Sequence, residues 1–271
     1  MKTALVTLSD AGARLLTPLT VLIPGARLYI HESVRNRTTG ETPDAEVFAK
    51  IAELMTRLFP VYRKIVCAAP CGVIVRAVAP LIRNKLEDPA VVVVDVGGRW
   101  AVSLLAGHEG GANDLAIRIA NLIGAEPIIT TTTEALKNVI IGIGCRRGTK
   151  AERIVEAIRN TLTEKGIDLD EVRLIASADV KSEEPGLIAA AEALGIPIRF
   201  IPAAEIRASS REFSNSAFVQ EKVDLPAVAE PAALLAGKRT RFICRKKAFN
   251  GITIALAREG FSWSESSPGN C

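Results

Sequence analysis

The stretch DPAVVVVDVGGRWAVSLLAGHEGGANDLAIRIANLIGAEPIITTTT, Asp88 to Thr133, decides the fold. VVVVDV, ending at Val96, reads as a strand. Gly97 and Gly98 separate it from RWAVSLL, and two glycines between strand-like runs predict a tight antiparallel hairpin. The second strand runs through Leu105 into AGHEGGAND. Leu115, Ile119, Leu122 and Ile123 then fall on one face of a helix, and PIIT forms a further strand. A hairpin inside a strand–helix alternation makes the sheet mixed.

Working outward, ALVTL at Ala4 to Leu8 and RLYI at Arg27 to Ile30 read as strands, followed by the polar connection ESVRNRTTGETP. From Asp44 the period changes. Val47, Phe48, Ile51, Leu54, Met55, Leu58 and Phe59 fall at helical spacing, and Pro60 closes that helix. KIVCAA, Lys64 to Ala69, is a buried strand, and a short apolar helix runs through Val78 to Pro80.

Beyond the threonines Thr130 to Thr133, which mark a boundary, VIIGIG at Val139 to Gly144 opens a second unit. Thr149 and Glu152 predict a capping box ahead of a helix whose inner face is Ile154, Val155, Ile158 and Leu162. VRLIAS, a helix after Pro185, IRFI and a helix around Ala232 to Leu235 continue the alternation. RFIC and ITIAL close it as a hairpin through Asn250-Gly251, and the polar tail Gly260 to Cys271 is expected to fray. The expected class is therefore α/β: two three-layer α/β/α domains with mixed sheets, residues 1–135 and 136–271.

The composition narrows the function. The 271 residues carry 34 Lys plus Arg against 30 Asp plus Glu, a net charge of +4, too balanced for an electrostatic grip on nucleic acid. Aromatics are 4%, so a stacking surface for bases is not expected either. No apolar run approaches the ~20 residues that cross a bilayer. Ser9 and Asp10 interrupt the first hydrophobic run before it could serve as a signal-peptide core, so a cytoplasmic location is expected. The five cysteines, Cys67, Cys71, Cys145, Cys244 and Cys271, contain no C-x-x-C pair and read as reduced, mostly buried thiols. With only His31 and His108 as histidines, no metal motif stands out.

Three constellations could carry chemistry. In SLLAGHEGGAND, Gly107, Gly110 and Gly111 let the backbone approach a ligand ahead of a helix N-terminus. His108 sits inside that loop as a proton acceptor, and Glu109 and Asp114 are candidates to orient it or to act as the base. The competing reading makes Asn113 and Asp114 helix caps and His108 a solvated loop residue. In GIGCRRGT, Gly142 and Gly144 lack the third glycine of a dinucleotide fingerprint. Arg146 and Arg147 there suit bidentate carboxylate recognition, and at a helix start they oppose its dipole. Cys145 is either a nucleophile activated by those charges or packing. Third, Arg76, Asp95 and Arg99 stand beside apolar strands, and Asp179, Lys181 and Glu184 share the loop DVKSEEPGL; as caps or surface ion pairs they need no function. KRTRFICRKK looks like a basic patch, but its alternation around Phe242 and Cys244 is equally that of an edge strand.

Taken together, CGVIVRAVAPLI, DPAVVVVD, SLLAGHEGGANDLA and PIITTTT in the first half, with GIGCRRGT, DVKSEEPGL, SAFVQEKV and VAEPAALLA in the second, resemble the cobalt-precorrin-5A hydrolase family of anaerobic cobalamin biosynthesis. The second half also resembles the small stand-alone cobalamin-biosynthesis protein that shares the family's C-terminal domain. The resemblance covers about Asp44 to Arg258. It implies a cobalt-bearing, ring-contracted tetrapyrrole substrate with acetate and propionate side chains and a ring A lactone, which is opened with release of acetaldehyde. The cobalt travels with the substrate, so no cofactor is expected.

Members of the family usually carry a further module between the two regions, whereas here Val139 follows Thr133 almost directly. The resemblance therefore implies a compact form. Under it, His108, aided by Glu109 or Asp114, would activate water, and N–H groups near Gly110 and Gly111 would hold the oxyanion. Gly107, Asn113, Gly142, Gly144 and Arg76 would help bind substrate, and Arg146 and Arg147 would clamp its carboxylates. The alternative is a non-catalytic corrinoid carrier or scaffold, and a nucleotide-dependent regulator ranks last. Expected macromolecular partners are neighbouring enzymes of the pathway or a second copy of the chain, with no nucleic acid and no membrane.

Overall fold

The computed structural model describes residues 2–35, 45–211, 213 and 227–260. The chain divides into two compact units, residues 1–135 and 136–271.

The first unit runs β1 (Thr3–Thr7), α1 (Asp10–Leu22), β2 (Ala26–His31), α2 (Glu32–Arg35), β3 (Glu46–Phe48), α3 (Ile51–Leu58), β4 (Lys64–Ala68), α4 (Cys71–Val78), β5 (Ala90–Val94), β6 (Trp100–Leu105), α5 (Ala112–Ile123), β7 (Glu126–Ile128) and α6 (Thr132–Ala135). Its sheet has the order β3-β2-β1-β4-β5-β6-β7. Strands β1 to β5 are parallel, β6 is antiparallel to β5, and β7 is parallel to β6.

Both faces are covered, which is why Val91 to Val94 can all be apolar. Val92 and Val94 pack with α1 and α5 (Leu16, Leu19, Leu115, Ile119). Val91 and Val93 pack with α3 and α4 (Leu54, Met55, Ile74, Val78). Burying such a side chain stabilises the fold by about 1.5–3 kcal/mol relative to exposure.

The hairpin expected at Gly97-Gly98 forms, with Val93 opposite Val102. Asp95 is the residue that builds it. Although partial desolvation opposes its charge, N–H groups of Trp100, Arg99 and Gly97 and the Arg99 guanidinium hold its carboxyl below the usual carboxylate range. Asp95 and Arg99 are thus turn-forming groups.

The second unit runs β8 (Val139–Cys145), α7 (Ala151–Lys165), β9 (Val172–Ala178), α8 (Pro185–Leu194), β10 (Ile198–Ile201), α9 (Ala203–Ala208), α10 (Ala229–Leu235), β11 (Arg241–Phe249) and β12 (Ile252–Arg258). Its sheet order is β10-β9-β8-β12-β11. β8, β9 and β10 are parallel, whereas β12 runs antiparallel to β8 and β11 antiparallel to β12. Helices α7 and α8 cover one face through Ile154, Ile158 and Leu187. Helices α9 and α10 cover the other through Ile206, Ala229, Ala232 and Ala233. The basic run does lie on the edge strand β11.

Two local expectations are corrected, and two details are added. Helix α1 fills the stretch between Leu8 and Arg27, to which the sequence analysis assigned no element; the Ser9 side chain caps it by accepting from the Gly12 N–H at 3.2 Å. Val47 and Phe48 belong to β3, paired with Ile30 and His31, because a short edge strand directly precedes the helix. Thr149 forms no capping box: the cap position is Lys150, and the Thr149 hydroxyl donates to the Arg146 carbonyl. Among the described cysteines, Cys67 and Cys145 are buried and Cys244 partly so, but Cys71 is exposed at the start of α4. Most of ESVRNRTTGETP, all of SAFVQEKV, and residues 261–271 with Cys271 lie outside the described residues.

Candidate active site

Strands β6 and β7 are parallel neighbours, so the loops that follow them leave the same sheet edge. Because β6 is antiparallel to β5, with Leu105 opposite Val91, that edge is where β5 begins. The Gly-rich loop therefore sits opposite the carboxyl ends of β1, β4 and β5.

The loop is held backbone to backbone. Ala106 has φ 56° and accepts from the Ala112 N–H at 3.1 Å, while Gly107 accepts from the Asn113 N–H at 2.9 Å. A Cβ on Gly110 would lie 2.4 Å from that of Ala106, and Gly111, at φ +80°, is in the left-handed region. The first two N–H groups of α5 are thus used by the loop itself. Those of Gly110 and Gly111 donate to no backbone carbonyl among the described residues.

Asn113 ties two distant motifs together. Its Oδ1 accepts from the Ser103 hydroxyl at 2.8 Å, and its Nδ2 donates to Thr131 Oγ1 at 2.9 Å. It is 5% exposed, so its polar atoms must be satisfied within the protein. Asn113 is thus a structural knot under the loop rather than an open binding group. Asn113→Ala is expected to lower stability by about 1–3 kcal/mol, read as a fall in thermal midpoint. An unchanged midpoint would show that the knot carries no load.

His108 is exposed on this platform. Glu109 does not orient it through a hydrogen bond, because its carboxylate is taken by Lys85 Nζ at 2.5 Å. That contact, chiefly, holds Glu109 below the usual range; its own N–H and the nearby His108 contribute less. Asp114 is exposed in the first turn of α5, and no hydrogen bond joins it to His108. Among the described residues no carboxylate orients His108 through a hydrogen bond, and the imidazole stands exposed in the loop that carries Gly110 and Gly111. Arg76 is not part of the loop; its guanidinium lies along α4 and donates to the Gly72 carbonyl at 3.3 Å.

In the second unit, the turn after β8 departs further from expectation. Gly142 is buried beneath α10: a Cβ there would lie 1.9 Å from the Ala229 carbonyl oxygen and 2.7 Å from the Ala233 nitrogen. A Cβ on Gly144 would meet Thr253 Oγ1 at 2.6 Å. These glycines exist for helix and strand packing and are not available to a ligand. Arg146 and Arg147 are exposed and lie in the turn, ahead of α7 rather than in it. Burial pushes the Cys145 thiol up, against the reading of an activated nucleophile.

Glu184, which along the sequence reads as a cap or surface ion pair, is buried and accepts from the Gly148 N–H at 2.7 Å. Lys85, too, was absent from every motif. Only folding reveals such partners, because 24 residues separate Lys85 from Glu109 and 36 separate Gly148 from Glu184.

A concavity of about 300 Å³ lies in the first unit at the ends of β4 and β5, lined by Pro70, Cys71, Val93, Asp95, Trp100 and Ile128. It is largely apolar, and its one carboxylate already serves the hairpin turn, so it offers little for hydrolysis. Among the described residues no helix is long and apolar enough to cross a membrane. Nor does any group of three or more His, Cys, Asp or Glu side chains there form a metal site.

Comparison with known proteins places both units. Residues 53–134 match the family model "Cobalamin synthesis G N-terminal" and residues 139–257 match "Cobalamin synthesis G C-terminus". The cobalt-precorrin-5A hydrolase of Salmonella typhimurium is 26% identical over 345 aligned positions, covering 93% of this chain and 96% of that protein. Protein CobE of a Sinorhizobium species is 35% identical over 128 residues, 46% of this chain and 83% of its own length. The crystal structure of CobE, a protein from the cobalamin biosynthetic pathway, superposes with a TM-score of 0.42 at 36% identity, over 45% of this chain and 89% of that one.

Proposed function

The chain belongs to the cobalamin synthesis G family, and from that premise we propose that it is a cobalt-precorrin-5A hydrolase: it opens the ring A lactone of cobalt-precorrin-5A and releases acetaldehyde to give cobalt-precorrin-5B. One observation carries this reading. Both family regions lie in one chain, almost directly joined, and the alignment with a relative named for that activity spans 96% of that relative's length.

The loop residues supply a consistent chemistry. The His108 imidazole accepts a proton from water as the water oxygen attacks the lactone carbonyl. The tetrahedral oxyanion is received by the N–H groups of Gly110 and Gly111, donors that need no reorganisation during the step. Its collapse expels the ring oxygen, which takes the proton back from His108 and becomes a hydroxyl. Loss of that hydroxyl proton then forms the carbonyl of acetaldehyde, and the electron pair of the broken carbon–carbon bond passes into the macrocycle. Lys85 and Glu109 pin the loop rather than take part.

A carrier reading is favoured by one specific observation. The alignment with the Salmonella hydrolase runs to 345 positions, more than the 271 residues present here, so that relative has residues without a counterpart in this chain. Anaerobic incubation of the pure protein with cobalt-precorrin-5A, with acetaldehyde trapped as a hydrazone, separates the two. Stoichiometric acetaldehyde supports the hydrolase; tight corrinoid binding without it supports the carrier.

A further inference from the structure

One face of the first sheet is only partly roofed. Val102 stands opposite Val93 of β5 and beside Ile128 of β7; cross-strand partners share a face, and Trp100, two residues from Val102, shares it too. Helices α3 and α4 cover Val93 there, whereas Trp100 is exposed and Val102 and Ile128 are half-buried. The concavity of about 300 Å³ lies between these side chains and the first turn of α4, and Pro70, Cys71 and Val96 complete its walls.

Its walls and its mouth differ in chemistry. The walls are apolar apart from Asp95, whose carboxylate is taken up by the hairpin N–H groups, and the exposed Trp100 and Val96 present apolar surface that a flat ring would cover. The mouth is electropositive. The N–H groups of Cys71 and Gly72, the first of α4, donate to no backbone carbonyl among the described residues. The Arg76 guanidinium lies back against that turn: a Cβ on Gly72 would stand 3.5 Å from its Nη1. Arg76 donates to the Gly72 carbonyl and forms no ion pair among the described residues. An apolar hollow with a cation and two helix N–H groups at its rim suits a carboxylate borne on an apolar frame.

We propose that this concavity seats one edge of the tetrapyrrole, with a methyl-bearing ring against Trp100 and an acetate or propionate of that ring held by Arg76 at the start of α4. This rests on the corrinoid ligand proposed above and gives it a place within the first unit alone. At about 300 Å³ the hollow is near the lower limit for ligand sites, so it takes part of the macrocycle and leaves the rest outside. β6 leads from it to the catalytic loop: Val102 lines the hollow, and Ala106, four residues on at about 3.3 Å each, opens the loop that carries His108.

The test uses the full chain and cobyrinic acid, a cobalt corrinoid polycarboxylic acid without a lactone. Cys71 is an exposed thiol on the wall, so saturating cobyrinic acid is expected to suppress its alkylation by N-ethylmaleimide, read by peptide mass spectrometry. Equilibrium dialysis then measures affinity. Trp100→Ala is expected to weaken binding ~10-fold and Trp100→Phe to restore most of it. Arg76→Met is expected to weaken it ~10- to ~100-fold, the loss of a charged hydrogen bond. Undiminished alkylation of Cys71, or unaltered affinity in Trp100→Ala or in Arg76→Met, would overturn the proposal. So would equal weakening in the Ala and Phe variants, since that marks a structural role for Trp100.

The two proposals fail separately. Protection of Cys71 by cobyrinic acid without acetaldehyde release from cobalt-precorrin-5A sinks the hydrolase and keeps the corrinoid seat. Acetaldehyde release with Cys71 unprotected does the reverse.

Discussion

His108→Ala is expected to lower kcat for acetaldehyde release by ~100- to ~10,000-fold while leaving KM close to that of the unaltered protein, because proton transfer by a positioned base contributes on that scale. The side chain is exposed, so its removal leaves no cavity, and the thermal midpoint should stay in place. Glu109→Gln and Asp114→Asn sharpen the test. Neither carboxylate hydrogen-bonds His108, and Glu109 is committed to Lys85, so both variants should keep kcat far closer to the unaltered value. If Asp114→Asn matched His108→Ala, the base would be a carboxylate after all. If His108→Ala released acetaldehyde at the normal rate, the imidazole would have no part in the chemistry.

The largest stability effect is expected at Gly142. In Gly142→Ala the new methyl carbon would stand 1.9 Å from one backbone atom of α10 and 2.7 Å from another, and neither can rotate away as a side chain could. Helix α10 also packs on β12 through Ala229 and Ala233, so it cannot retreat without uncovering that face of the sheet. Overpacking of a core ordinarily costs about 1–3 kcal/mol, and a backbone clash belongs at or above the upper end. Hydrogen exchange would read it as lost protection in β8, β9 and β12, with β1, β4 and β5 unaffected. Gly72→Ala is the control: its methyl would meet only the Arg76 guanidinium, at 3.5 Å, on a helix where alanine is favoured. Unaltered protection in Gly142→Ala would contradict the packing described for the second unit.

The contrast between Gly142 and Gly97-Gly98 shows what can be read along a sequence. A hairpin turn is a local device, and its glycines announce it at a spacing of two, as does Asn250-Gly251, with φ 44° and 90°. The alternation of strands and helices is likewise local, and the edge position of β11 was visible in its charges. Gly142 has the look of a ligand turn, but its cause is a helix nearly ninety residues away along the chain. Helix α1, Asp10–Leu22, lies in a stretch that the sequence analysis left without an element. Gly12 is required where α1 crosses Thr7 and Ala68, since a Cβ would lie 2.1 Å from Thr7 Oγ1 and 3.0 Å from the Ala68 Cβ.

The candidate site divides the same way. The loop, His108 and the helix N-terminus were legible as a group because they adjoin in sequence. Their supports were not. Thr131 reaches Asn113 from the next loop, Lys85 reaches Glu109 from before β5, and Glu184 reaches Gly148 from beyond β9. Each contact exists only because parallel or antiparallel pairing brings particular strand ends to one edge. Proximity in sequence made Glu109 look like a partner for His108, and pairing in space gave it to Lys85.

Single-turnover reaction of cobalt-precorrin-5A in ¹⁸O-labelled water, with mass spectrometry of the macrocycle, tests the account most directly. Attack of water on the lactone carbonyl predicts one ¹⁸O atom in the ring A carboxylate for each acetaldehyde released. Recovery of unlabelled, lactone-intact substrate from a stable complex would contradict it and make the chain a corrinoid-binding protein.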